Sequence, residues 1–205
     1  MDISGIYFIT DRTYCSLSMA EMVFVALKAG VRVIQYRDKD KSRREMYYEA
    51  LKLRELTLSF NSAFIINDHA DIALAVDADG LHLGQEDLPL REARRIMGNK
   101  IIGISTHTLA QAQEAEAGDA DYIGFGPIFH TSTKDAGPPE GLDNLRTIKE
   151  NVSIPVVAIG GINAGNITQV FYSGADAAAI ATGICRGDIN KNAELLVRMA
   201  RNQYP

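Results

Sequence analysis

Residues 63–87 read AFIINDHADIALAVDADGLHLGQED, and the order of features in this stretch decides the fold that we predict. Two short apolar runs, Ala63–Asn67 and Gly80–Leu83, have the length of buried parallel strands, and a segment of helical period lies between them. An acidic residue follows each run, Asp68 after the first and Asp87 after the second. If the two strands are neighbours in a parallel barrel, both carboxylates point into the same opening.

The same alternation of apolar runs and amphipathic segments recurs along the whole chain. It predicts strands at Gly5–Thr10, Val31–Tyr36, Ala63–Asn67, Gly80–Leu83, Ile101–Ser105, Tyr122–Phe125, Val156–Ile159 and Ala178–Ala181. It predicts helices at Ser18–Ala29, Ser42–Phe60, Asp71–Val76, Leu90–Met97, Leu109–Ala117, Leu142–Glu150, Asn163–Ser173 and Asn190–Gln203. A strand followed by a helix, repeated in this way, favours a closed parallel barrel over an open sheet. We therefore predict an α/β fold, a single-domain (β/α)8 TIM barrel over residues 1–205.

Composition and charge narrow the classes of function. The formal net charge of −5 argues against the basic face of a nucleic-acid-binding protein. The sequence shows no signal peptide and no apolar run of about 20 residues, so we expect no membrane partner. Cys15 and Cys185 are too far apart in sequence to indicate a metal motif or a disulfide framework. We expect a cytoplasmic protein that acts on small molecules, and a homo-oligomer is compatible with this sequence.

Basic residues follow the second predicted strand. Gln35, Arg37 and Lys39 alternate with period two, so we expect them on one face, together with Val31 and Val33 inside the barrel. A solvated rim with salt bridges is the alternative interpretation. Because these bases lie next to the predicted pair of acids, phosphate binding is favoured: arginine grips phosphate oxygens bidentately and lysine supplies a mobile charge.

The two carboxylates predict a Mg²⁺ site with Asp68 and Asp87 as ligands, since oxygen donors suit this hard cation. The alternative is a structural role, with Asp68 as a helix N-cap and Asp87 as a cap or turn residue. Both acids would then face one opening by chance, so we favour the metal site. We expect His82 to be a core residue and not a ligand, and we assign no role to His69 or His107.

A second anion site is expected near the seventh and eighth strands, where barrels often bind phosphate. Gly160 and Gly161 allow backbone N–H groups to approach an anion, although a tight turn would also explain them. Thr182 completes this site, and the long loop containing Thr131–Lys134 supplies further hydroxyls and a base. One site linked to a metal and one without a metal predict an enzyme that joins a diphosphate substrate to a monophosphate substrate.

An ordered set of motifs resembles thiamine-phosphate synthases. The motifs are Tyr7–Asp11, Gln35–Lys39, Ile66–Asp68, Asp79–Asp87, Gly103–Thr108, Asp121–Phe129, Thr131–Lys134 and Val157–Ile162. The resemblance runs from about residue 5 to residue 184. The related thiazole tautomerases share the barrel and the Ile-Gly-Gly region but typically lack the Asn-Asp and Gln-Glu-Asp acids, which this chain has.

The resemblance implies a transferase of thiamine biosynthesis. It would condense 4-amino-2-methyl-5-(diphosphooxymethyl)pyrimidine, here called the pyrimidine diphosphate, with 4-methyl-5-(2-phosphooxyethyl)thiazole, here called the thiazole phosphate. The products are thiamine phosphate and diphosphate. Diphosphate leaves first with the help of Mg²⁺, the thiazole nitrogen then attacks the pyrimidine-methyl cation, and closure of loop 127–141 shields that cation from water. A thiazole tautomerase-like isomerase and a non-enzymatic sensor of thiamine intermediates are the alternatives.

The resemblance also implies roles for individual residues. The pyrimidine diphosphate would be bound by Gln35, Tyr36, Arg37, Asp38, Lys39, Asn67, Ser105 and Lys134. Among these, the catalytic residues would be Arg37, Lys39, Ser105 and Lys134. The thiazole phosphate would be bound by Thr131, Ser132, Thr133, Gly161, Ala181 and Thr182. The family more usually has Ser at the position of Thr182, which keeps the hydroxyl, and Arg at the position of His69.

Overall fold

Eight parallel strands pair in chain order, and the last pairs with the first to close a barrel. The computed structural model describes residues 3–131 and 137–202. The strands are β1 Gly5–Ile9, β2 Val33–Tyr36, β3 Ala63–Asn67, β4 Gly80–Leu83, β5 Ile101–Thr106, β6 Tyr122–Phe125, β7 Val156–Ile159 and β8 Ala177–Ile180. The predicted (β/α)8 barrel is confirmed.

Helices follow the strands and surround the barrel. They are α1 Met19–Ala29, α2 Arg43–Ser59, α3 Ala70–Ala75, α4 Leu90–Met97, α5 Leu109–Ala117, α6 Gly141–Asn151, α7 Ile167–Tyr172, α8 Thr182–Cys185 and α9 Ile189–Arg201. Capping boxes begin α1 and α2 at Ser18 and Ser42. The carboxylates of Glu21 and Glu45 accept hydrogen bonds from the amides of these two cap residues. In the described part of the chain, no helix has the length and apolar character that crossing a membrane requires.

Two helices differ from the sequence-based expectation by more than two residues. The predicted helix from Asn163 begins only at Ile167, because the Asn166 side chain accepts a hydrogen bond from the Asn163 amide and holds a turn there. Helix α8 was not predicted, since a four-residue helix is too short to show a helical period in sequence.

The buried side chains form two apolar layers. Tyr7, Val33, Ile65, Tyr122 and Val157 belong to the inner layer, which fills the barrel, and a larger outer layer packs the strands against the helices. Alternation along each strand sends successive side chains to opposite layers.

The prediction that Val31 lies inside the barrel is wrong, because its side chain lies in the outer layer. Its amide bonds to the Ala26 carbonyl in the turn that follows α1, and β2 begins only at Val33. Val33 itself lies in the inner layer, as predicted.

An aspartate directly before each of β4, β6 and β8 stabilises the amino-terminal end of the barrel. Asp79, before β4, accepts from the Phe64 amide of β3 at 2.8 Å, and both of its oxygens accept from Arg54 of α2. Equivalent carboxylates accept from an amide of the preceding strand and from a basic side chain of the preceding even-numbered helix: Asp121 from Ile102 and Arg94, and Asp176 from Val156 and Lys149. These contacts fix the strand starts at the end of the barrel remote from the site.

Candidate active site

A cavity of about 160 Å³ opens at the carboxyl ends of the strands. Eight residues that the sequence predicted for substrate binding line it: Gln35, Arg37, Asn67, Ser105, Thr131, Gly161, Ala181 and Thr182. They come from β2, β3, β5 and the loops after β6, β7 and β8, so barrel closure brings together residues that are up to 147 positions apart (182 − 35). Ser132, Thr133 and Lys134 lie outside the described residues.

Period-two alternation carries Gln35 and Arg37 to the cavity, but Tyr36, Asp38 and Lys39 do not line it. The buried Tyr36 hydroxyl donates to Glu49 of α2 at 2.9 Å, on the helix side of the strand. Burial and then Glu49 raise the pKa of Tyr36, so this hydroxyl remains a donor. The Tyr36 side chain therefore lies on the helix side of β2, and its predicted role in binding the pyrimidine diphosphate stays a prediction.

Asp38 is engaged at the rim of the barrel. One carboxylate oxygen accepts from Arg12 Nε at 2.8 Å, and the other accepts from the backbone amides of Asp40 and Lys41. These contacts shape the loop after β2, and the predicted role of Asp38 in binding the pyrimidine diphosphate stays a prediction. Lys39 lies exposed in this loop, since the strand ends at Tyr36 and its alternation ends with it; its role remains a prediction.

Asp68 and Asp87 lie on neighbouring loops, after β3 and β4, outside the residues that line the cavity. Asp68 adopts the left-handed conformation with φ 62°, and its amide donates to the His82 carbonyl of β4 at 2.8 Å. His69, and not Asp68, occupies the N-cap position of α3. The alternative interpretation of Asp68 as a helix N-cap is therefore wrong.

Asp87 combines a structural contact with closeness to the β3 loop. Its Oδ2 accepts from the Gly84 amide at 2.6 Å, which is the turn role considered from sequence. Burial and Arg43 lower the pKa of His69, while the charges of Asp71 and Asp87 oppose this shift. Asp87 is thus close enough to His69, the residue after Asp68, to influence its pKa.

The wall formed by the loops after β6 and β7 is held by backbone hydrogen bonds. The Ile128 and Phe129 amides donate to the Ile159 and Gly160 carbonyls at 2.8 and 3.0 Å. Gly161 has φ 65°, and a Cβ there would lie 2.5 Å from the His130 carbonyl oxygen. The glycine therefore permits the close approach of the two loops that places Thr131 and Gly161 on the same cavity.

Three polar residues were missed as functional candidates: His82, which lines the cavity, and Tyr7 and Tyr122, which are buried beneath it. His82 Nδ1 is 2.9 Å from the Tyr122 hydroxyl, and His82 Nε2 is 2.9 Å from Ser105 Oγ. The Tyr122 hydroxyl is in turn 2.7 Å from that of Tyr7. Strand alternation could have placed these side chains inside the barrel, but each looks like an ordinary core residue in sequence.

His107, which also lacked a role, lies at the rim. Its Nδ1 is 2.6 Å from the Gly126 carbonyl oxygen, which can only accept, so Nδ1 carries a proton. The ring therefore braces the loop after β6 while it lines the cavity.

A closed parallel barrel whose strand ends surround a cavity with both polar and apolar side chains has the architecture of (β/α)8 enzymes that act on small molecules. The thiamine monophosphate synthase family model matches residues 6–184. A thiamine-phosphate synthase from Chloroflexus aurantiacus is 48% identical over 185 residues, covering 89% of this chain and 86% of that protein. One from Caldanaerobacter subterraneus subsp. tengcongensis is 46% identical over 202 residues, covering 97% and 94%. A thiamine phosphate pyrophosphorylase structure from Pyrococcus furiosus superposes with a TM-score of 0.93 at 42% identity, covering 98% and 97% of the two chains. The chain belongs to the thiamine monophosphate synthase family.

Proposed function

We propose that this protein condenses the pyrimidine diphosphate with the thiazole phosphate, giving thiamine phosphate and diphosphate. One observation carries the proposal: residues suited to each substrate line the same cavity. Gln35, Arg37, Asn67 and Ser105 approach from β2, β3 and β5, whereas Gly161 and Thr182 approach from the loops after β7 and β8. Two substrates bound in this way would meet inside the barrel opening.

The pyrimidine diphosphate would lie over β2, β3 and β5. The amides of Gln35 and Asn67 and the hydroxyl of Ser105 match the donors and acceptors of an aminopyrimidine ring. Arg37 would hold the diphosphate through charge-assisted hydrogen bonds, which are stronger than neutral ones. Lys39 and Lys134 would add positive charge around the leaving group.

The proposed Mg²⁺ ligands are Asp68 and Asp87, on the neighbouring loops after β3 and β4. Within residues 3–131 and 137–202, no group of three or more His, Cys, Asp or Glu side chains is arranged to hold a metal. Mg²⁺ is commonly held by one or two carboxylates, with substrate phosphates and water completing its octahedron, so Asp68 and Asp87 would be sufficient with the diphosphate present. When bound, the ion would neutralise charge that develops on departing diphosphate.

The thiazole phosphate would bind without a metal on the opposite wall. Thr131 and Thr182 supply hydroxyls, and Gly161, which has no side chain, lines the cavity with its backbone. Barrels frequently bind phosphate after strands seven and eight, beside a short extra helix such as α8.

The reaction would need stabilisation of a leaving group and no side-chain nucleophile. Arg37 would stay fixed beside the diphosphate, so that positive charge is already in place when the carbon–oxygen bond breaks. Ile9 and Ile159 give the cavity apolar walls, which limit attack of water on the pyrimidine-methyl cation. The thiazole nitrogen, held close by its phosphate, would capture the cation.

An assay with both substrates and Mg²⁺ tests the proposal, with thiamine phosphate and diphosphate measured together in a 1:1 ratio as the expected result. Omitting either substrate, or adding a chelator, should abolish both products. Isomerisation of a thiazole carboxylate phosphate that survives the chelator would instead indicate a tautomerase. Binding of both ligands without turnover would indicate a sensor.

A further inference from the structure

A continuous chain of hydrogen bonds crosses the inside of the barrel and begins and ends at the cavity. Gln35 Nε2 lies 2.9 Å from the Tyr7 hydroxyl, which is followed by the Tyr122 hydroxyl, the His82 ring and Ser105 Oγ. We call these five residues the interior wire. Gln35, His82 and Ser105 line the cavity, whereas Tyr7 and Tyr122 are fully buried below it.

Counting protons gives each bond of the interior wire a direction. Among the described residues, the Tyr7 hydroxyl bonds Gln35 Nε2, which only donates, and Tyr122, so the Tyr7 proton goes to Tyr122. The Tyr122 proton then goes to His82 Nδ1. With Gln35 Nε2 facing Tyr7, any other arrangement leaves a hydroxyl proton buried without an acceptor, which is costly.

The direction extends to the cavity. A neutral His82 that accepts at Nδ1 carries its proton on Nε2 and donates it to Ser105 Oγ, 2.9 Å away. The hydroxyl proton of Ser105 must then point elsewhere, and the cavity is where this residue is accessible. The Gln35 amide sets this polarity, because turning it over would reverse every bond.

Two further features agree with a wire of this polarity. Burial raises the pKa of Tyr7 and of Tyr122 above that of an exposed phenol, so both remain protonated donors at neutral pH. The barrel also makes room for the rings: a Cβ on Gly103 would overlap the Tyr122 ring, and one on Gly124 would lie 3.2 Å from His82 Cε1.

We propose that the interior wire is a positioning device that fixes the Ser105 hydroxyl as a hydrogen-bond donor toward the pyrimidine diphosphate, an inference that rests on the proposed function. The ring nitrogens and phosphate oxygens of that substrate are acceptors, so a serine held as a donor is complementary to them. Tyr7, Tyr122 and His82 act through Ser105. Without them the Ser105 hydroxyl would rotate, and its proton would point away from the substrate for part of the time.

A double-mutant cycle tests this coupling. Tyr122→Phe keeps the ring and removes the hydroxyl at the centre of the interior wire, so it should raise KM for the pyrimidine diphosphate roughly 3- to 10-fold, the effect of about one hydrogen bond. KM for the thiazole phosphate should not change. In a Ser105→Ala background, Tyr122→Phe should cause no further loss. Thr57→Val, which removes a buried hydroxyl from α2, is the matched control and should leave both KM values unchanged.

The proposal would be overturned if the increases in KM of Tyr122→Phe and Ser105→Ala multiplied in the variant that carries both substitutions. Wild-type kinetics for Tyr122→Phe would overturn it as well. If Tyr122→Phe does not fold, Tyr7→Phe removes the neighbouring hydroxyl and should act in the same direction with a smaller effect.

Long-range ¹H–¹⁵N NMR correlations of the His82 ring test the same proposal without any turnover. A proton on Nε2 and none on Nδ1 is expected in the wild-type protein, and His82→Gln assigns the signals. A proton on Nδ1 would show that the wire runs the other way and would overturn the inference. Failure of the wild-type protein to form thiamine phosphate would contradict the proposed function, whereas this NMR result reports on the wire alone.

Discussion

The hydroxyls of Tyr7 and Tyr122 lie 2.7 Å apart, although the two residues are 115 positions apart in sequence and stand on β1 and β6, three strands away around the closed barrel. Their rings are tilted at 51° with centroids 6.0 Å apart, so each hydroxyl reaches the barrel axis. This contact joins the β1–β2 side of the cavity floor to the β4–β5 side.

Removing the charge of either predicted metal ligand should reduce turnover strongly and leave the fold intact. Asp68→Asn is compatible with a φ of 62°, and Asp87→Asn keeps an oxygen for the Gly84 amide, so both substitutions isolate charge from shape. We expect kcat to fall roughly 100-fold or more, because metal stabilisation of leaving-group charge contributes several kcal/mol. Rates measured across a Mg²⁺ titration provide the test.

Asp71→Asn is the control for these two variants. Asp71 is an exposed acid of α3 that pairs with Arg43, close in sequence to Asp68 but outside the predicted metal site. Its rate and Mg²⁺ dependence should remain those of the wild type. Near-native rates for Asp68→Asn and Asp87→Asn, with stability lost instead, would mean that both acids are structural.

Arg37→Ala should weaken binding of the pyrimidine diphosphate and not that of the thiazole phosphate. Arg37 lines the β2 side of the cavity, and loss of its charge-assisted hydrogen bonds should raise Kd about 10- to 100-fold. Isothermal titration with each ligand measures the effect. Arg32→Ala removes an exposed arginine just before the opposite end of β2 and should change neither Kd. Equal weakening of both ligands by Arg37→Ala would rule out separate sites.

Gly161→Ala should raise KM for the thiazole phosphate about 10-fold and have little effect on the pyrimidine diphosphate. The added Cβ meets the His130 carbonyl and is unfavourable at a φ of 65°, so the phosphate-binding wall must shift. Thr182→Val should act in the same direction with an effect of roughly 3-fold, because it removes one hydroxyl.

Gly187→Ala is the control for Gly161→Ala. It introduces the same backbone strain at a positive φ, but without a clash like that with the His130 carbonyl. Gly187 has φ 76°, and nothing lies within 4 Å of the position that its Cβ would occupy. It should lower stability slightly and leave both KM values unchanged. If Gly161→Ala affected only the pyrimidine diphosphate, the two substrates would have to be exchanged in our proposal.

Asp79→Ala should destabilise the barrel without changing kcat. The substitution leaves the Phe64 amide and two Arg54 nitrogens without their acceptor in a part-buried position, at a cost of about 2–3 kcal/mol. Urea unfolding measures this cost. Glu92→Gln breaks the exposed pair with Arg95 and should cost about 0.5 kcal/mol or less. Equal losses for the two variants would show that the Asp79 contacts add no more than a surface ion pair.

The local pattern predicted some strands accurately and others less well, for physical reasons. Ala63–Asn67 and Val156–Ile159 have the predicted bounds, since each is a short apolar run with clear breaks on both sides. The last strand was placed one residue too late, at Ala178–Ala181, whereas it is Ala177–Ile180. Three consecutive alanines carry no alternation, so pairing with β1 and not side-chain pattern sets this register.

Around β2, the candidate site was predictable only as far as strand alternation continued. Gln35 lies on β2 and Arg37 directly follows it, and both reach the cavity as expected. Beyond that point backbone hydrogen bonds of the loop, and not the sequence period, direct the side chain of Asp38. Loop conformation depends on contacts with other segments, so the pattern within the loop itself does not specify it.

The sequence by itself determined the alternation of strands and helices, helix starts such as Ser18, and the ordered motifs of the family, because these depend on neighbours within one or two turns of chain. Tertiary structure alone decided which distant residues meet. Closure and register of the barrel bring Gln35 and Ser105 to one cavity and connect them through the tyrosines beneath it. Local periodicity specifies the layer that a side chain enters, whereas contact across the barrel depends on the pairing of all eight strands.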